Sequence, residues 1–299
     1  MKRRSFLHYL STLALGLALA SMPAFAMAAA TPSTAIAAGP WSLPHDASPA
    51  FSPDDNTVVF ARGSGATRRL FTAQRHDGVW SQAQRVAFSD RWMDLEPAMA
   101  PDGRYLVFAS NRPTNDAGKP LDGNWGGQAW PGRGGNLWRV DRVGNGWGTP
   151  VRLPDSVNRS STTFSPAVAS DGSVYFMRAN PVDGSFRLYV SRRVHGRYQD
   201  AVALALGTGD GRSDFDPAVA PDQSFLVFSS DRPPAPANGS DLFIAFAVPG
   251  GWSTPVDLGL AGNEARLGVD RTMLYYTAAP DHRIHRLSLA PWLRQRPTR

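Results

Sequence analysis

The sequence predicts an all-β protein, a single β-propeller built from four-stranded blades. One phrase recurs five times: a proline, or a residue in its place, opens a short apolar strand that reaches a turn and returns as a second strand. The copies, here copies 1 to 5, begin at Pro49, Pro97, Pro166, Pro217 and Ala265. Repetition every roughly 50 residues is typical of repeat architectures, and strand-rich repeats form propeller blades.

Four strands can be assigned to most copies. The second strands are β-branched and aromatic runs at 58–60, 105–108, 174–176, 225–228 and 274–276. The third strands lie at 70–72, 137–140, 187–190, 242–246 and 284–287. The fourth strand opens with an aromatic residue after a glycine-containing turn, at Trp80, Trp147, Tyr198 and Trp252. Such runs, bounded by turn residues, predict antiparallel hairpins.

The fifth copy lacks an outer strand, and the start of the propeller region, residues 40–290, offers one. Pro40-Trp41-Ser42-Leu43 matches the outer strand of copy 4 at Pro255–Leu258. We therefore expect the N-terminal segment to close the ring, because closure removes the open sheet edge. Five blades use every copy once. A sixth would have to lie in the insertion at 113–135, which lacks apolar alternation and is predicted to be a loop.

The first 28 residues read as a secretory signal peptide. Lys2-Arg3-Arg4 precedes an apolar stretch, Leu7–Ala20, and small residues follow it. Arg3-Arg4 with the next three residues also resembles a twin-arginine export signal, the alternative being the general secretory route. Residues 29–39 then form a linker and 291–299 a basic tail. We expect a periplasmic protein with no membrane span.

Composition removes several function classes. The 299 residues include no cysteine, which excludes disulfides, thiol nucleophiles and thiolate metal sites. The net charge of +6 falls to +3 without Lys2, Arg3 and Arg4, since 28 basic residues then face 25 acidic ones. That balance gives no support for nucleic-acid binding. The sequence also has no Gly-x-Ser-x-Gly or nucleotide-binding motif.

The repeat resembles that of the TolB-like β-propeller family. The resemblance is carried by copy 2, where Glu96-Pro97 leads through Pro-Asp-Gly-Arg at 101–104 to Phe-Ala-Ser-Asn-Arg at 108–112. It covers residues 40–290 and leaves no room for the N-terminal domain that TolB carries. The resemblance implies a periplasmic propeller that binds proteins or ligands.

Acidic and hydroxyl side chains recur just before the start of each first strand. In an antiparallel hairpin the two open ends meet, so these positions should surround one mouth of the central channel. One set is Ser48, Glu96, Ser165, Asp216 and Glu264, and the set two residues earlier is Asp46, Asp94, Thr163, Asp214 and Gly262. Arginines that end the second strands should lie on the same face: Arg62, Arg112, Arg178 and Arg232.

Two interpretations of these charges stay open. In the architectural one, each arginine pairs with an acid and locks the ring. In the functional one, Asp46, Asp94, Asp214, Arg112 and Arg232 contact a ligand. Unpaired carboxylates in a channel would raise one another's pKa values and suit acid and base catalysis or a cation such as calcium. Glu96, Asp216 and Glu264 resemble, in outline, the three carboxylates of five-bladed arabinanase-type glycosidases.

Symmetry breaks most clearly at the insertion. Trp125 and Trp130 lie there in an uncharged, glycine-rich context. Exposed tryptophans are typical of binding hot spots, although both could instead pin the loop to the blade. We predict a monomeric, non-enzymatic module that binds an envelope protein or glycan through this face, without a cofactor. The alternative is a carbohydrate-active enzyme that uses the channel carboxylates.

Overall fold

The computed structural model describes residues 36–37, 41–114, 118–209, 211–237, 239–279 and 281–296. The signal peptide and most of the predicted linker lie outside the described residues. Within them, no helix is long and apolar enough to cross a membrane. The only regular helices in this part are a short 3-10 turn, Gly65–Thr67, and one α-helix, Ala290–Leu293.

Each sequence copy folds as a curled antiparallel sheet. The first strands are Ala47–Phe51, Asp94–Met99, Thr163–Val168, Asp214–Val219 and the second half of Val256–Leu267. The second strands are Thr57–Arg62, Tyr105–Ser110, Val174–Ala179, Phe225–Ser230 and Met273–Ala278. The third are Arg69–His76, Asn136–Val143, Phe186–Ser191, Asp241–Val248 and Arg283–Ser288.

The outer strands are short and interrupted. Copy 1 has Val79–Trp80 and Gln84–Arg85, and copy 2 has Gly146–Trp147 and Val151–Arg152. Copy 3 has Arg197–Tyr198 and Val202–Ala203, and the first of these pairs with Arg193–Val194. In copy 4, Gly251–Trp252 precedes the start of Val256–Leu267, and that strand continues into copy 5. Short edges limit pairing with other chains.

The sheets surround a common centre as in a β-propeller. The first strands of consecutive copies lie side by side, and that of copy 5 also contacts that of copy 1. The apolar core lies between neighbouring sheets, where the central aromatic residues of the second strands, such as Phe60, Phe108 and Phe228, are fully buried.

The N-terminal segment pairs with copy 5, but not through the residues expected. The strand is Ile36–Ala37, which runs antiparallel to Arg283–Ser288. Residues 41–43 form no strand. There the Leu43 amide donates to the Asp46 carboxylate and not to a neighbouring strand, and the Trp41 ring is buried against Phe60, 5.2 Å between centroids.

The insertion is not wholly a loop. It contains a hairpin, Gly123–Trp125 with Gln128–Trp130, which we call the insertion hairpin. Gly126 and Gly127 form its turn with φ of 60° and 71°, a conformation that two-residue hairpins require and glycine adopts freely. This Gly-Gly signal was visible in the sequence.

Candidate functional site

Five side chains form a ring at the centre of the molecule, here the central ring: Ser48, Glu96, Ser165, Asp216 and Glu264. Each lies at a bulge in a first strand, where two residues face one on the second strand. Each has a positive φ between 48° and 55°. That conformation is uncommon for residues other than glycine, and its repetition in every copy turns these side chains to the same place.

Contacts between distant copies define this centre. Glu96 Oε2 accepts the amide N–H of Ser165, 2.6 Å away, and Asp216 Oδ2 accepts that of Glu264 at 2.9 Å. Arg266 of copy 5 donates to Ser165 Oγ of copy 3 at 3.2 Å, although these copies are not neighbours. All members of the ring are buried. The carboxylates therefore fasten one copy to the next.

Two arginines complete the ring, and sequence reasoning missed both. Arg68, from the loop after the 3-10 turn, pairs with Glu264 Oε1 at 2.7 Å. Arg266 is fully enclosed and stands where copies 1 to 4 have an alanine after the proline. The replacement of that alanine was a usable signal, whereas nothing in the repeat marks Arg68.

The three carboxyl groups differ in acidity. Burial, and then the charge of Asp216, raise the pKa of Glu96 to about 8, against the opposing charge of Arg266. Burial and Glu264 also raise the pKa of Asp216. Burial alone would raise the pKa of Glu264, but the charge and hydrogen bond of Arg68 bring it below the ordinary value. At neutral pH Glu96 is thus a neutral acid beside an ionised Glu264.

Three of the five positions that lie two residues before the ring form ion pairs within their own copies. Asp46 binds Arg62 through two hydrogen bonds of 2.7 and 2.8 Å. The closest atoms of the other pairs, Asp94–Arg112 and Asp214–Arg232, are also 2.7 Å apart. The pairing expected in the architectural interpretation is present. A ligand role for these residues stays a prediction.

Each arginine also lies over an aromatic pair from the second and third strands. The guanidinium carbons are 4.8 to 5.6 Å from the ring centroids of Phe60 and Phe71, Phe108 and Trp138, Phe176 and Tyr189, and Phe228 and Phe243. We call each set of arginine, aromatic pair and aspartate a clamp. Clamps in copies 1, 2 and 4 are complete.

Copies 3 and 5 depart from the clamp. In copy 3, Thr163 takes the place of the aspartate, and Arg178 donates to the backbone oxygen of Val157. Its buried Nε has no hydrogen-bond partner among the described residues. In copy 5, Gly262 stands in place of the aspartate, and Ala278 stands where copies 1 and 3 have Arg62 and Arg178. The aromatic pair is Tyr276 with His285.

The insertion hairpin is fixed to copy 3. Trp125 packs edge-on against Phe164, 5.8 Å between centroids, and Trp130 stacks on Trp125 at 5.4 Å with nearly parallel planes. The Gly126 amide donates to the Gly184 carbonyl of copy 3 at 3.0 Å. Both tryptophans stay partly exposed. The hairpin thus holds an aromatic surface on the ring face.

No group of three or more His, Asp or Glu within the described ranges is arranged to hold a metal ion. The central carboxylates instead have backbone amides, arginines and hydroxyls as partners. Thr277, for example, donates to Glu264 Oε2 at 2.8 Å.

No protein-family model matches the chain, and no curated protein matches its sequence. Solved structures do match its fold. A thermostable family-43 glycoside hydrolase is 12% identical, with 82% of this chain and 88% of that one covered and a TM-score of 0.55. At this identity the likeness shows the fold alone.

TolB structures are also similar. TolB from Acinetobacter baumannii is 18% identical with a TM-score of 0.42, and the structure described as a putative TolB from Agrobacterium tumefaciens is 16% identical with a TM-score of 0.39. The first comparison covers 67% of this chain and the second 72%. This chain spans 40% of the length of the A. baumannii protein and 80% of the other. The cyclic arrangement of the sheets and the match to the family-43 glycoside hydrolase show that the chain is a β-propeller protein, and its centre is charged and buried.

Proposed function

We propose that this protein is an exported, monomeric, five-bladed propeller that acts as a non-enzymatic binding or scaffold module of the cell envelope. It engages a protein or a glycan through the face that carries the insertion hairpin. Five blades are supported by the cyclic contacts of the first strands, and closure by the pairing of Ile36–Ala37 with copy 5. Export to the periplasm rests on the sequence of residues 1–28.

The insertion hairpin is the observation that carries a binding role. It breaks the repeat symmetry, is pinned at its turn to Gly184 and leaves Trp130 stacked and partly exposed. A rigid aromatic surface loses little conformational entropy on binding, which favours recognition. The central carboxylates, in contrast, are buried and bonded to the protein itself. The proposed module binds its partner without a cofactor.

A carbohydrate-active enzyme is the second candidate, and one observation favours it. Glu96, with its pKa raised to about 8, would be protonated at neutral pH beside ionised Glu264, a difference that acid and base catalysis uses. Burial of all three carboxyl groups argues against it, because a glycosidic bond would have to reach them.

Photocrosslinking in cells tests the binding role. A photoreactive residue replaces Trp130 in the exported full chain, and the matched control places it at Val79, exposed on the outer strand of copy 1. We expect a protein adduct from position 130 only. If none forms, purified wild type and W130A are sedimented with isolated envelope polysaccharide, and only the wild type should bind.

Loss of both signals would overturn the proposal. Release of reducing ends from the polysaccharide by wild type, absent in a normally folded E96Q variant, would instead establish the enzyme. W130A is preferred to a Trp125 variant, since Trp125 packs against Phe164 and its removal would disturb the core.

A further inference from the structure

A cleft of about 590 Å³ opens between copies 4 and 5, on the face of the central ring. Copy 4 contributes Arg212, Phe215 and Asp231, and copy 5 contributes Asn263 and His282. This volume is within the range of small-molecule sites in proteins. The cleft is separate from the insertion hairpin, which contacts copies 2 and 3.

The cleft exists because copy 5 lacks a clamp. In copies 1, 2 and 4, the space between the start of the first strand and the end of the second holds an aspartate and an arginine. In copy 5 the aspartate position is Gly262, the position that corresponds to Arg62 of copy 1 is Ala278, and Ala279 follows. All three line the cleft, so none of these three positions contributes a long side chain to it.

The polar groups of the cleft are held in place by the protein. Asp231 Oδ1 accepts the amide N–H of Ser213 at 2.8 Å, and Arg212 Nη1 donates to the backbone oxygen of Asp231 at 3.0 Å. The ring of His282 stacks on His45, 5.8 Å between centroids. Such fixed groups reduce the entropy lost when a ligand binds.

The lining matches a neutral, polyhydroxylated ring. Phe215 is half-buried and offers an apolar surface to the C–H groups of a sugar. Asp231 accepts hydrogen bonds, Arg212 donates them and the exposed amide of Asn263 does both. The charges of Arg212 and Asp231 oppose each other, which disfavours a charged ligand. We propose that this cleft binds one pyranose unit of a neutral saccharide.

Binding by the purified mature protein tests this site. The probes are the methyl glycosides of glucose, galactose and mannose, measured by saturation-transfer NMR and titration calorimetry, with the His282 ring resonance as a local reporter. We expect at least one glycoside to bind and to shift that resonance. F215A should weaken binding by about tenfold or more, the loss of one aromatic contact, and F215W should retain it.

Asn263→Ala provides a second variant in case F215A does not fold, since the Asn263 side chain is exposed and makes no hydrogen bond within the described residues. It should also weaken binding. Val79→Ala, at an exposed position on the outer strand of copy 1, is the matched control and should bind the glycosides normally. Absence of binding by wild type, or binding that survives both F215A and N263A, would overturn the inference. Either result leaves the hairpin proposal untouched, because that rests on Trp130.

Discussion

The clamps and the central ring use buried charge in opposite ways. In copies 1, 2 and 4, each buried aspartate has its own arginine and an aromatic pair beneath it. At the centre, three carboxyl groups share Arg68 and Arg266, and Glu96 accommodates the imbalance by holding a proton. Charge is thus paired locally in each clamp and shared among several groups in the central ring, so single substitutions should have different consequences in the two regions.

Breaking a complete clamp should have the largest effect. Asp94 and Arg112 are both buried, so Asp94→Ala leaves a cation without its partner and should lower the unfolding free energy by about 3–5 kcal/mol. Chemical denaturation measures this. The control is Asp102→Ala, whose pair with Arg104 is exposed and should not matter measurably. If D94A is too unstable to purify, D94A/R112M should recover part of the loss.

In the central ring, removing the charge of Glu264 should cost less. Glu264→Gln keeps the hydrogen bond from Thr277 but loses the charge facing Arg68, a change of about 2 kcal/mol. Thermal unfolding at neutral pH measures it. Equal destabilisation by E264Q and E96Q would contradict this description of the central ring, because among its described carboxyl groups only that of Glu264 is in an ion pair.

The sequence was informative where structure repeats and uninformative where it does not. Proline positions, apolar alternation and turn residues are local signals, so the second and third strands fall where predicted. The first strands of copies 1 to 4 begin two or three residues before the prolines at which they were predicted to start, and so include the central-ring residues. Arg68 acts from the loop of copy 1, and its partner Glu264 is 196 residues away along the chain. The pairing of Ile36–Ala37 was also missed, because a two-residue strand carries no periodicity.

Completing the incomplete clamp of copy 3 should stabilise the protein. Thr163→Asp places a carboxylate where copies 1, 2 and 4 have one, and gives the unpartnered Nε of Arg178 an acceptor. The gain should be about 1 kcal/mol, since the new charge loses its hydration and the Thr163 hydrogen bond to Ser160 is lost. Denaturation compares T163D with T163D/R178M, in which the gain should reverse. A destabilised T163D would mean that copy 3 is shaped for a neutral residue.

The smallest effect is expected for Glu96→Gln at about pH 5, and it should grow as pH rises through neutrality. The folded pKa of Glu96, about 8, exceeds the ordinary value of 4.5, so the folded state holds a proton that the unfolded state releases in this interval. Stability from this group is therefore present at low pH and is lost towards pH 8.

The variant leaves unchanged the charged groups that face Glu96, which are Asp216, Glu264, Arg68 and Arg266. Glutamine imitates the protonated form and can still accept the Ser165 amide, so E96Q should match wild type at about pH 5 and exceed its melting temperature increasingly at higher pH. A difference in melting temperature that stays constant from about pH 5 to about pH 8 would mean that Glu96 is ionised in the folded state and that Arg266 neutralises it. The central ring would then be a set of fixed ion pairs, like the clamps.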